Sequence, residues 1–221
     1  NGAFIAFDWT NGAPRWKWDG DGPAFGSPVV MTVQGTKQIV TLTAKYLVGL
    51  GVADGKLLWQ VPFAAAQGNN TTPIVDGQTV IYTGQGKGMF AVRIEKQDNV
   101  FTATPLWTNA QLGARFTTPV LKDGLLFGYN GSFFCASAQT GATLWTDTVK
   151  RGQSAAMLDA GSVILALTGN SELAAFKPSD KEFSELARIK VGNTETWAHP
   201  VVAGKRVFVR DLDSVALWTF D

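Results

Sequence analysis

A marker pair that returns about every 43 residues constrains this chain more than any other feature. The opening marker is a small or polar residue followed by proline: Ser27-Pro28, Thr72-Pro73, Thr118-Pro119 and His199-Pro200, with Ala155-Ala156 in the matching place of the fourth copy. Successive openings are 45, 46, 37 and 44 residues apart. The closing marker is tryptophan, at Trp16, Trp59, Trp107 and Trp145, with Ala187 where a fifth would fall. Each lies 11 to 14 residues before the next proline position, so the two markers keep phase. A fixed period of about 40–50 residues specifies a solenoid or a propeller, because each repeat must bury its apolar face against a neighbour.

Strand patterning decides between them. Within a repeat the chain alternates runs rich in Val, Ile, Leu and Thr with tight Gly-containing turns, at 8–12-residue intervals and with no helical period. The clearest repeat predicts strands at 29–33, 38–43, 46–51 and 57–61, the last pair joined by Ala53-Asp54-Gly55. Four short antiparallel strands make one blade, so the expectation is an all-β propeller of about five blades, an arc cut from a ring of seven or eight. A parallel β-helix would have shorter rungs. The expected boundaries, within one domain over 1–221, are a half blade at 1–22, blades at 23–68, 69–113, 114–152 and 153–193, and an incomplete last blade at 194–221, whose third strand is expected at Val215 to Phe220. Two details accompany this. Residues 95–105 read as a longer last hairpin, a polar insertion on the outer rim, and the charged turn 177–185 reads as able to carry a helical turn.

Composition removes several function classes. A net charge of +1 with no basic run longer than two residues leaves no nucleic-acid footprint. No stretch approaches the roughly 20 apolar residues of a membrane-spanning helix, and the first residues lack the pattern of a signal peptide. A single cysteine, Cys135, excludes a disulfide within this chain and, on an apolar strand, reads as a small buried hydrophobe. One histidine, His199, supplies no imidazole cluster for zinc or other transition metals, so no metal site is expected. Eight tryptophans suit hairpins sealed by aromatic plugs: Trp16, Trp59, Trp107 and Trp145 as plugs, with Trp9, Trp18 and Trp218 stacked nearby.

The segment Ala6 to Trp16, AFDWTNGAPRW, follows the pattern A-x-D-x-x-T-G-K-x-x-W, and partial copies stand at Val52 to Trp59 (VADGKLLW) and Ala138 to Trp145 (AQTGATLW). On these residues the chain resembles the quinoprotein alcohol dehydrogenase-like family of PQQ-like repeat propellers over essentially its whole length. The resemblance implies a turn followed by a Trp that docks on the next blade, and a periplasmic or secreted setting. It is not specific for catalysis, since such repeats occur in dehydrogenases and in non-enzymatic propellers. The dehydrogenases hold pyrroloquinoline quinone with Ca²⁺ in the central funnel, often beside a pair of adjacent cysteines. This chain has no Cys-Cys pair, and no Asp, Asn and Glu set of the family transfers onto its residues.

Repeat geometry supplies a candidate site directly. Three residues before each proline position stand Phe25, Asn70, Phe116, Gln153 and Trp197, each just ahead of an innermost strand. They are expected to ring one mouth of the channel, either as an aromatic and amide grip for a planar ligand or peptide, or as packing for the loops there. His199, with Arg210 and Asp211 in the same blade, is a further polar candidate or a structural residue. Gly84-Gln85-Gly86-Lys87-Gly88 lacks phosphate-loop spacing and reads as a hairpin. No G-x-S-x-G motif supports a Ser-His-Asp site, and no paired carboxylates suggest polysaccharide hydrolysis. The expected function is therefore a non-catalytic binding or scaffolding module whose protein or small-molecule partner sits at the mouth. The alternative is part of a quinone- and calcium-dependent dehydrogenase.

Overall fold

A computed structural model describes residues 2–114 and 116–219. Asn1, Arg115 and Asp221 lie outside the described residues, as does Phe220, the expected end of the last strand. The chain forms two compact units, residues 1–113 and 114–221.

The first unit opens on a two-stranded sheet, β1 (Phe4–Phe7) and β2 (Pro14–Trp18). The turn between them explains the repeat motif. Asp8 accepts hydrogen bonds from Thr10 N and Thr10 Oγ1 and forms an ion pair with Arg15, which together hold its carboxyl down at about 2. A four-stranded antiparallel sheet follows, in the order β3 (Val29–Val33), β4 (Thr36–Leu42), β5 (Tyr46–Gly51), β6 (Leu57–Pro62). The next contains β7 (Ile74–Asp76), β8 (Thr79–Gly84), β9 (Gly88–Gln97) and β10 (Val100–Asn109), with β10 outermost. Met31, Val33, Val40 and Leu47 of the first blade share one core with Trp59, Val80, Tyr82, Val92 and Ile94, so the two blades seal face to face.

The segment 95–105 forms the longer hairpin expected, but its strands run further than expected, to 97 and from 100. It is a continuation of the β9–β10 ladder, turned at Asp98 and Asn99, both at positive φ (49° and 65°) as a two-residue hairpin requires. Its alternation fixes its place: Phe101 and Ala103 turn inward and pack on the core of the preceding blade, while Val100 faces solvent. Lys96 anchors the tip, its ammonium lying over the Phe101 ring and donating to Thr36 Oγ1 at 3.3 Å.

The second unit repeats the scheme. β11 (Val120–Lys122), β12 (Leu125–Tyr129), β13 (Phe133–Ser137) and β14 (Thr143–Thr146) form one sheet, and β15 (Ala155–Asp159), β16 (Ile164–Thr168), β17 (Glu172–Lys177) and β18 (Ser184–Lys190) the next. A three-stranded sheet follows, of β19 (Val201–Ala203), β20 (Arg206–Arg210) and β21 (Val215–Thr219). The segment 178–183 forms bends with no helical turn, since Phe183 is drawn onto Phe133, Trp145 and Phe176 (centroids 5.2, 5.9 and 5.2 Å) and commits the chain to an extended path. Cys135 is fully buried in this core, and burial pushes its thiol up to about 12, with Asp180 adding to the shift. A thiol reagent at pH 8 is therefore expected to leave the folded chain unmodified and to label one thiol per chain in denaturant. Rapid labelling of the folded chain would contradict this burial.

The closing strands share a device. In five sheets the third-to-fourth strand pairing skips one residue, so that Arg15, Leu58, Leu106, Leu144 and Leu186 are bulged. The bulge aims the following side chain inward. Trp59 and Trp145 are buried against the next blade's residues, and Trp145 Nε1 donates to Ser179 O at 2.8 Å. Trp16 Nε1 donates to Val52 O at 2.9 Å while its ring covers Gly55, where an added Cβ would sit 2.4 Å from the indole. Trp218 Nε1 reaches Val191 O at 3.3 Å. Trp9 departs from the expected stacking: it stands 94% exposed in the β1–β2 turn.

Candidate functional site

Buried threonines position the loops that carry the candidate residues. Thr71 Oγ1 donates to Thr83 O at 2.6 Å, Thr117 Oγ1 to Ala155 O at 2.7 Å, and Thr196 Oγ1 to Thr168 O at 2.6 Å. Each hydroxyl fastens a loop to a strand carbonyl, and chain alternation then turns the flanking side chains outward. Within the first unit Asn69 adds a second anchor. Its amide donates to Thr43 O and Phe63 O and accepts from Ala65 N, fully buried. Phe25 and Asn70 approach one another there, both within 4 Å of the position a Cβ on Gly68 would take. Phe25 is 82% exposed.

The second unit assembles more. Trp197 and Phe116 meet edge to face, 5.8 Å between centroids and 82° between planes, although 81 residues separate them in sequence. Both rings keep solvent-facing area, 54% for Trp197 and 38% for Phe116. In front of Trp197 lies a cleft of about 330 Å³ bordered by Gln153, Asn170 and Glu195. Glu195 Oε2 accepts from Trp197 Nε1 at 3.3 Å, and Asn170 Nδ2 donates to Arg151 O at 3.5 Å. Gly169, Asn170 and Glu195 also border an adjoining hollow of about 400 Å³ that reaches Lys190, Asn193 and Thr194. Lys190 Nζ is held by Asn170 O at 2.6 Å.

Of the residues read from the sequence, Phe116, Gln153 and Trp197 gather at one place in the second unit, and Phe25 and Asn70 at one place in the first. His199 is exposed and joins neither. Its expected partner Asp211 is committed elsewhere: its two oxygens accept from the backbone N–H groups of Asn193, Thr194, Asp213 and Ser214 and from Ser214 Oγ. Those bonds, led by Asn193 N–H, hold its carboxyl well below the usual range. Glu195 and Asn170 escaped sequence reading. Once Thr196 is seen to be the buried threonine, Asn70-Thr71, Phe116-Thr117 and Glu195-Thr196 align, whereas phasing on proline selects Trp197, two residues later.

The same depressed carboxylates set an acid limit. Asp8, Asp54 (held by Lys56 N–H and its ammonium), Asp159 (held by Lys122) and Asp211 all titrate lower folded than unfolded. Their stabilisation is complete above the unfolded carboxylate value near ~4 and is lost as pH falls through the folded values. The melting temperature is expected to be level from pH 7 to about 5 and to fall below about 4; a level profile down to pH ~2 would contradict these assignments.

A calcium-held quinone finds no matching donors here. Among the described residues no three His, Cys, Asp or Glu side chains converge, and Glu195 is the only carboxylate bordering the cleft at Trp197. Calcium takes six to eight oxygens, usually including several carboxylates, so the residues at this cleft do not fit that group. Among the described residues no helix is long and apolar enough to cross a membrane.

Comparison with solved structures places the fold. BamB from Moraxella catarrhalis is similar at TM-score 0.57 and 17% identity, over 99% of this chain and 79% of that one. The C-terminal WD40 domain of Sif2 gives 0.73 and 14%, over 99% and 61%. The β-propeller domain of Cps50 (Swd1) from Myceliophteria thermophila gives 0.67 and 11%, over 99% and 76%. These likenesses establish a β-propeller of about five blades. No curated protein matches the sequence. A family model described as outer membrane protein assembly factor BamB matches residues 1–147 and 135–221. The repeat motif, the four-stranded blades and a match that spans the chain agree: this protein belongs to that PQQ-like repeat family of β-propellers.

Proposed function

We propose that this chain is a non-catalytic binding scaffold on the periplasmic side of an outer membrane, where it holds a protein partner during outer-membrane protein assembly. The observation that carries the reading is the exposed Phe116 and Trp197 pair on a loop frame fixed by buried threonines. Solvent-facing aromatic rings on a rigid frame bring large contact area at little entropic cost, as binding hot spots do. The family's description points to the same setting. The tryptophan docking that the repeat motif implies belongs to this reading as the source of the frame's rigidity.

Affinity purification of the full chain from its native cells, followed by identification of what accompanies it, tests this. Outer-membrane assembly components are expected with the wild type, and their loss with Phe116→Ala/Trp197→Ala at an unchanged melting temperature. Equal recovery with the folded double variant would remove the mouth from the function.

A further inference from the structure

We infer that the cleft in front of Trp197 receives a positively charged side chain of the partner, a guanidinium or alkylammonium group. This deepens the binding scaffold reading and rests on it. Three observations converge on a cation. First, the Trp197 ring borders the cleft with 54% of its area open and is held by an edge-to-face contact with Phe116, which does not itself border the cleft. The indole face carries negative quadrupole potential and attracts a cation placed over it.

Second, the cleft has a fixed carboxylate. The indole N–H holds Glu195 Oε2 at 3.3 Å, so the charge stands at the rim of the ring whose face the cation would cover. Among the described residues Glu195 Oε1 takes no hydrogen bond, which leaves it to accept one from a guanidinium or ammonium. Third, the remaining border favours donors on the ligand. Asn170 directs its Nδ2 to Arg151 O, leaving its side-chain oxygen as an acceptor, and Gln153 offers an exposed amide. Lys190, the cation of the adjoining hollow, is tied to Asn170 O and does not border the cleft itself. A neutral ring could stack on Trp197 without Glu195, and an anion would meet the carboxylate. The arrangement therefore selects positive charge.

The test follows the indole N–H resonance of Trp197, assigned with Trp197→Phe, in the full chain. N-acetyl-arginine amide and tetramethylammonium chloride are titrated at constant ionic strength, with N-acetyl-glycine amide and glucose as neutral probes. Both cations are expected to move the resonance saturably, and the neutral probes are not. Glu195→Gln, an exposed and nearly isosteric change, is expected to weaken the cations about tenfold. Absence of saturable shifts, equal shifts with glucose, or cation binding unchanged in Glu195→Gln would each overturn the inference. If the folded chain still retains its partner through the aromatic pair while the cations leave Trp197 unmoved, the scaffold reading stands and this one falls. If partner retention also ignores the pair, the scaffold reading falls with it.

Discussion

Replacing Arg151 by alanine is expected to destabilise the chain by about 3–5 kcal/mol, because it leaves a buried carboxylate without its counter-charge. Arg151 is 9% exposed and lies between two rings, 5.1 Å from the centroids of both Phe133 and Phe183. Its guanidinium pairs with Asp147, whose side chain is also largely buried, and donates to Val149 O at 3.0 Å. The side chain thus joins β13, the loop after β14 and the turn before β18. Lysine is a poor substitute, since an ammonium is more strongly hydrated and cannot present a flat face to both rings. Denaturant titration followed by circular dichroism measures the effect. Removing both charges together, as Arg151→Met/Asp147→Leu, is expected to cost far less than Arg151→Ala, because nothing buried is then left unpaired. A single variant as stable as wild type would contradict the buried pair.

The second large effect concerns the recurring indoles. Trp59→Ala and Trp145→Ala are each expected to cost about 3–5 kcal/mol through the cavity they leave. Trp59 is 5% exposed among Val80, Tyr82 and Val92, and its Nε1 donates to Gln38 Oε1, a fully buried amide that loses this partner on truncation. It lies so close over Gly49 that an added Cβ would sit 2.1 Å from the indole nitrogen, so Gly49→Ala is expected to displace the ring and destabilise as well. Trp9→Ala, at the other extreme of exposure, is expected to change stability by less than about 0.5 kcal/mol. Denaturation midpoints of the set decide: a Trp9 variant as damaged as the Trp59 variant would contradict the assignment of these side chains.

The blades were legible because their signals are local. A Pro ahead of a first strand, Gly in a two-residue turn and Trp after a bulge each act within a few residues, so 29–33, 46–51, 125–129, 133–137, 143–146 and 206–210 emerged with their observed bounds. The misreadings arose where a distant partner decided. The polar composition of 95–105 suggested a hairpin insertion on the outer rim, with strands ending near 94 and resuming near 106, but the core beneath Phe101 and Ala103 makes continuing the ladder to the Asp98-Asn99 turn favourable. Phe183, drawn to Phe133 and Phe176, overrode the helical leaning of 177–185. At the candidate site, repeat phase alone selected Phe116, Gln153 and Trp197, which the fold brings together. Glu195 required knowing which residue of the loop is buried, and only the hydrogen bond of Thr196 reveals that.

The proposed scaffold grips its partner at Phe116 and Trp197. A photoreactive phenylalanine analogue placed at position 197 in one variant and at position 9 in another, irradiated in native cells, tests it most directly. Both sites are exposed, at 54% and 94%, so accessibility alone favours position 9. A discrete crosslinked partner is expected from position 197 and none of that species from position 9. The same partner captured equally from both, or from position 9 alone, would contradict it.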